Sequence, residues 1–191
     1  MMDLAEFATS PQSTASITSL ESLLSPPAAI EPIQKFLRFR LDAAQTMLLA
    51  VEDIAAVQTI PISDILPVPQ MSPYVLGMSN WRGEALWLVD LFQQLGLKAN
   101  TTWSGTTAER LVTVSAIVIQ SGRKSLGLVV PEIDEIEEHN PDSLLKPSPD
   151  LFPQSISTFI KGYFKHDRSV VLDTTAVIQD PDLQIHQFNS F

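Results

Sequence analysis

The chain contains no cysteine, which excludes disulfide staples, thiolate-held metals and cysteine nucleophiles. Histidine is scarce: His139, His166 and His186 are all there are, and none stands at i, i+4 or beside a second ligand at metal spacing. The spacing therefore predicts no zinc or iron site and no metal ligand. Basic residues number 12 against 22 acids, leaving a net charge of −10 and a pI near 4.6. That balance argues against nucleic acid, which needs a concentrated basic surface, and against an anionic membrane face. No apolar run approaches the roughly 20 residues that span a bilayer, and the N-terminal MMDLAEFATSPQ carries acids where a secretory signal is basic. The expectation is a soluble, cytoplasmic protein with no direct membrane insertion.

Catalytic equipment is equally thin. Neither G-x-x-x-x-G-K-[ST] nor G-x-G-x-x-G occurs, so no phosphate cradle is recognisable. Gly77-Met78-Ser79-Asn80-Trp81 begins like a nucleophile elbow but has Trp81 where glycine is required. Ser121-Gly122-Arg123-Lys124 matches S-x-x-K only inside an expected hairpin turn. No catalytic residue and no cofactor is expected.

What is present is a 45% apolar chain of 191 residues, enough for a real core. Residues 1–33 are rich in Ser, Thr, Pro and Ala, contain no Lys or Arg, and read as a flexible acidic extension. Within it Thr18-Ser19-Leu20-Glu21 fits a capping box, and Leu20, Leu23 and Leu24 share a helical face. Residues 16–25 are thus either a transient turn or a segment that docks on a response regulator or another partner. From Lys35 onward short β-type runs alternate with turns: KFLRFRL, TMLLAV, AAVQTIPI, YVLGMSNW, ALWLVDL, LVTVSAIVIQ and LGLVVPEI. Val51–Ile54 suits one helical turn, and Leu91–Leu95 suits a short helix closed by Gly96. Residues 98–109 read as a loop, and DEIEEHN as the solvated edge of a strand. Pro147, Pro149 and Pro153 argue against a regular element between them.

One internal echo organises the chain. Tyr74-Val75-Leu76-Gly77, followed by Leu88-Val89-Asp90, has a counterpart in Phe159-Ile160-Lys161-Gly162, followed by Val171-Leu172-Asp173. Each is an aromatic, a β-branched residue, any residue and Gly, then a polar tip, an apolar strand and an Asp that opens a short helix. Between the first pair lies the tip Asn80-Trp81-Arg82-Gly83, where Gly83 suits a positive-φ turn position and Arg82 is either a solvated turn residue or an interface anchor.

The ordered series, with KFLRFRL and VEDIAAV before the tip and SLGLVVPEIDEI, FIKG and VVLD after it, resembles the CheW-like coupling proteins of bacterial chemotaxis over roughly residues 34–180. The resemblance implies a mainly β fold: two five-stranded, SH3-like β-barrel subdomains, roughly 34–97 and 110–180, with short helices and a C-terminal tail at 181–191. It implies a non-enzymatic adaptor that joins the cytoplasmic tip of a chemoreceptor to the regulatory domain of a CheA-type histidine kinase. Receptor-binding positions would be Ile54, Gly77, Asn80, Trp81, Arg82 and Gly83; kinase-binding positions would be Ala56 and Val57. The pattern departs from the family at Trp81, where Leu is usual, at Trp87, where Pro is common, and at Ala56, which lacks the frequent acid. These departures suit a specialised pathway, such as pilus-driven motility or phototaxis. A small-ligand sensor using the groove between the barrels is the competing expectation.

Overall fold

Most of the strands are apolar on consecutive residues because both of their faces are buried, which is why they read as short runs rather than as alternation. The computed structural model describes residues 32–41, 45–97 and 112–183. The extension at 1–31, with its capping-box segment 16–25, lies outside the described residues, as do the whole 98–109 loop and residues 184–191.

Eleven strands follow in order among the described residues: β1 (Gln34–Arg40), β2 (Thr46–Ala50), β3 (Ile54–Pro61), β4 (Val75–Trp81), β5 (Glu84–Asp90), β6 (Thr113–Ser121), β7 (Lys124–Val130), β8 (Glu132–His139), β9 (Leu144–Leu145), β10 (Ile160–Phe164) and β11 (Val170–Leu172). Three short helices are α1 (Leu91–Gln94), α2 (Gln154–Ser157) and α3 (Thr174–Ile178). The anticipated turn at Val51–Asp53 is a single 3-10 turn, and Gly96 closes α1 at φ +67°.

The fold is mainly β, as expected, in two sheets. One has the order β3-β6-β7-β5-β4 and the other β8-β1-β2-β11-β10-β9. The second therefore has six strands rather than five; its extra strand, β9, is only two residues long and is followed by the Pro-rich connection. Sheet membership also cuts across the halves 34–97 and 110–180. The β6–β7 hairpin of the second half is inserted between β3 and β5 of the first, pairing antiparallel with β3 and parallel with β5. Reciprocally, the β1–β2 hairpin is inserted between β8 and β11, antiparallel to β8 and parallel to β11. Each half is thus one copy of the same unit, with its leading hairpin exchanged into the other sheet.

This exchange produces three cores. In the five-stranded sheet, Ile60, Leu86, Leu88, Val114, Ala116, Val118 and Val129 form a small core on one face. On the other face Trp87, Val89, Ile117, Ile119, Leu126, Leu128 and Val130 join Leu37, Phe39, Leu49, Ile160 and Leu172 of the six-stranded sheet in a large shared core. Phe36, Leu48, Ala50, Phe164 and Val171 form the small core of the six-stranded sheet. That sheet is curled: His139 of β8 stacks on Phe164 of β10, ring centroids 4.3 Å apart, although three strands separate β8 from β10 in the sheet order. Trp87 is a core residue, about 9% exposed.

Candidate partner-docking site

The tip of the β4–β5 hairpin is a two-residue turn, since Trp81 and Glu84 are the last paired residues. Both turn residues have positive φ, +56° at Arg82 and +86° at Gly83, the type I′ geometry that matches the twist of paired strands. Gly83 adopts it without strain; Arg82 does so against the usual preference of a side-chain-bearing residue. Asn80 Oδ1 accepts a hydrogen bond from the Gly83 N–H at 3.1 Å, which closes the turn. The Arg82 guanidinium lies over the Trp81 ring, 4.8 Å from its centroid, while Trp81 packs against the small core of the five-stranded sheet. The aromatic ring, fixed from below, holds an exposed cation in one orientation, a contact worth about 0.5–1 kcal/mol in such settings.

Gly77 serves the chain itself. It is buried at φ +142°, beside a bulge in the β4–β5 pairing. A Cβ there would stand 2.8 Å from the Leu66 carbonyl carbon and closer still to its oxygen. The approach lets Leu66 and Met78 exchange two backbone hydrogen bonds, 2.7 and 2.9 Å, which add an isolated bridge beyond β4.

Ile54, Ala56 and Val57 sit on β3, at the other edge of the same sheet. Ile54 is half-buried against the shared core, and Ala56 against the small one. Val57 is 52% exposed. The structure therefore brings Asn80, Trp81, Arg82 and Gly83 together at one tip and Ala56 and Val57 together on one edge. Ile54 lies with the β3 pair rather than in the tip.

β3 is an edge strand whose eight residues carry no charge; a bulge between Ile54 and Ala56 and the terminal Pro61 bound the stretch, and no charged side chain between them discourages pairing. Two exposed apolar residues missed at the level of sequence, Ile62 and Val112, adjoin it. Ile62 follows β3 directly, and its N–H donates to the Val112 carbonyl at 3.0 Å. Val112 is the more exposed of the two; Leu66, beyond β4, is exposed as well. An apolar residue just past a Pro-terminated strand was the available signal, but sequence alone does not separate an exposed residue from a buried one there.

A cavity of about 450 Å³ lies elsewhere, lined by Leu41, Met47, Leu95, Phe152, Ile156 and Ile160 among others. None of the eight candidate positions lines it. No helix among the described residues is long and apolar enough to cross a membrane.

These two sheets, their parallel pairings and the three cores define a known class of β fold. A crystal structure of the scaffolding protein TtCheW from Thermoanaerobacter tengcongensis matches it with a TM-score of 0.58 at 20% identity, covering 74% of this chain and 83% of that one. The model of the CheW-like domain matches residues 35–182, and the chain belongs to that family. It is 29% identical over 104 residues to a probable chemotaxis protein CheW of Rhizobium etli, covering 54% of this chain and 61% of that protein. To the chemotaxis protein CheW of Rhizobium meliloti it is 33% identical over 96 residues, covering 50% of this chain and 56% of that protein. The matched part thus spans a little over half the length of these curated relatives.

Proposed function

We propose that this chain is a non-enzymatic scaffold of a chemotaxis-like signalling system, coupling a chemoreceptor tip to a CheA-type histidine kinase. The single observation that carries the reading is the pairing of two docking features on one sheet: an uncharged edge at β3 and an oriented cation at the opposite hairpin tip. An open strand edge offers backbone hydrogen bonds to an added strand, and its exposed Val57 supplies a side-chain anchor. An exposed arginine offers a fork of donors to carboxylates or helix-end carbonyls. Membership of the family supports assigning the β3 edge to the kinase and the Arg82 tip to the receptor. A specialised pathway, pilus motility or phototaxis, remains part of this proposal and is supported by the departures at Trp81, Trp87 and Ala56.

The ligand-sensor alternative loses ground on geometry, because the cavity of about 450 Å³ is lined by none of the candidate residues. The test is binding measured by calorimetry with a chemoreceptor tip and a CheA-type regulatory domain from the same organism. Arg82→Ala is expected to weaken the receptor contact by about 1–3 kcal/mol and spare the kinase. Val57→Lys should do the reverse by placing an unpaired charge in the added-strand interface. Unchanged affinities for both folded variants would overturn the assignment.

A further inference from the structure

His139 is far in sequence from the neighbouring His166 and Asp167, yet the curl of the six-stranded sheet brings the three together. His139 ends β8; His166 and Asp167 lie in the turn between β10 and β11. One ring nitrogen of each histidine and one carboxylate oxygen of Asp167 all lie within 4.8 Å of one another. The two imidazoles are 5.3 Å apart between centroids, and His166 Nε2 is 3.7 Å from Asp167 Oδ2.

The surroundings distinguish this group from three adjacent surface residues. The His139 side chain is only 7% exposed, stacked on Phe164, with Nε2 3.0 Å from Glu137 Oε2. Glu137 is itself gripped by Arg38, through Nε to Oε1 and through Nη2 to Oε2 at 2.7 Å. A neutral imidazole that donates from one nitrogen to a fixed carboxylate offers its other nitrogen as an acceptor, the arrangement that orients histidine ligands in metal sites. Asp167 is fixed in turn by Ser169, whose N–H donates to Oδ1 at 3.0 Å and whose hydroxyl donates to Oδ2 at 2.6 Å. Arg38 Nη2 reaches the same Oδ2 at 3.5 Å. The Glu137 and Asp167 carboxylates thus share the one guanidinium of Arg38.

We propose that His139, His166 and Asp167 form a binding site for a divalent ion of the zinc class, with a fourth coordination position open to solvent. Two imidazoles and a carboxylate suit zinc, whereas magnesium and calcium require oxygen donors. The ligand atoms must close to about 3.3 Å, the edge of a tetrahedron built on ~2.0 Å bonds. The movement falls on His166, whose side chain is 62% exposed and is the least enclosed of the three. Ordering it is offset by coordination, and the buried His139 stays in place. β8 and β10 share no backbone ladder, so the ion ties the seam of the curled sheet directly. The site is independent of the docking residues on the other sheet.

The test uses the full chain, stripped with chelator and titrated with zinc chloride alone, cobalt(II) chloride alone or magnesium chloride alone. Zinc should bind with one-to-one stoichiometry and raise the unfolding midpoint, since an ion bound only by the folded state stabilises it. Cobalt should give the intense visible absorption of a tetrahedral site, and magnesium should not bind. His166→Ala should weaken zinc at least about tenfold while keeping the chelator-treated midpoint. His186→Ala should leave zinc binding unchanged. Absence of saturable zinc binding, equal binding by the His166→Ala protein, dependence on His186, or equal binding of magnesium would each overturn the site.

Discussion

β4–β5–α1 and β10–β11–α3 are two renderings of one motif, and their backbones agree in detail. In each, a bulge falls between the β-branched residue and the glycine, at Val75/Gly77 and at Ile160/Gly162. The Asp90 N–H donates to the Tyr74 carbonyl at 2.8 Å, and the Asp173 N–H to the Phe159 carbonyl at 2.8 Å. Each aspartate then caps its helix, accepting from the N–H three residues on, Gln93 in one and Ala176 in the other. Beyond each hairpin lies a short outer pairing, Leu66 against Met78 and β9 against β10.

The differences are confined to what the copies present outward. The first tip is a tight turn with Arg82 displayed on Trp81, whereas the second is a longer turn whose Asp167 is held by Ser169 and Arg38. The edge strands differ in the same sense. β3 has no charge; β8, in the corresponding place, carries five acids, four of them paired with Lys35, Arg38 or Arg40 on β1. Charge on an edge strand discourages strand addition, so one sheet is left open and the other is shut. The repeated unit agrees where it builds the fold and diverges where it faces outward.

The largest expected effect separates the two glycines. Gly77→Ala places a Cβ against the Leu66 carbonyl at a positive φ, whereas Gly162→Ala meets Leu145 O at 2.5 Å and the Leu144 side chain with no positive φ. Overpacking together with backbone strain should cost roughly 3–5 kcal/mol at Gly77, and overpacking alone about 1–3 kcal/mol at Gly162. Urea unfolding midpoints of the two variants check the order. Equal losses would mean that the two outer pairings are held equally, despite Leu66 being a single bridge.

Converting one copy toward the other gives a smaller effect. Tyr74 donates to Asp180 Oδ2 at 2.9 Å, and Gln94 Nε2 donates to the same oxygen at 3.1 Å; Phe159 occupies the equivalent place without a hydroxyl. Burial, reinforced by the bond to Asp180, pushes the Tyr74 hydroxyl far above the ordinary tyrosine range near 10. Tyr74→Phe should cost about 0.5–1.5 kcal/mol at neutral pH. Because the folded-state pKa is raised, that advantage of tyrosine is complete below about pH 10 and is lost as pH climbs through the raised value. Wild type and variant should therefore converge in alkali, as followed by unfolding at fixed urea across a pH series.

Much of this was legible beforehand. Strand runs, the 51–53 turn, the Ser121–Lys124 hairpin and the Gly96 cap are written in local chemistry, and so is the echo between the halves. Partner choice was not. A strand buried on both faces, such as Leu86–Val89 or Ile117–Ile119, shows an apolar run that fits any neighbour, so neither the parallel pairings nor the exchange of hairpins could be read. Gly77 announced a close approach, but not that Leu66 makes it. The meeting of His139 with His166 depends on the curl of a whole sheet and leaves no spacing signal. Trp81 and Trp87 look alike in the sequence, yet register puts Trp87 in the shared core and Trp81 under Arg82.

The smallest effect concerns the two capping aspartates. Asp90 is 1% exposed and Asp173 half-buried, yet both accept one helix-end N–H, so truncation to Ala should cost each about 1 kcal/mol. Asp90→Asn separates the cap from the charge. Burial raises the Asp90 pKa above the ordinary 3.8, and the hydrogen bonds from Gln93 only partly oppose that rise. A raised folded-state pKa means that ionisation favours the unfolded chain: the protonated form's advantage is full below pH 3.8 and disappears as pH rises through the folded value. Asparagine keeps an acceptor for the Gln93 N–H and never ionises. Relative to wild type, Asp90→Asn should therefore gain stability as pH increases from 4 toward neutrality, then hold level. A flat difference across that range would show that Gln93, whose Nε2 lies 2.8 Å from Asp90 Oδ2, compensates the buried charge in full. The first copy of the motif would then carry its extra burial at no electrostatic cost.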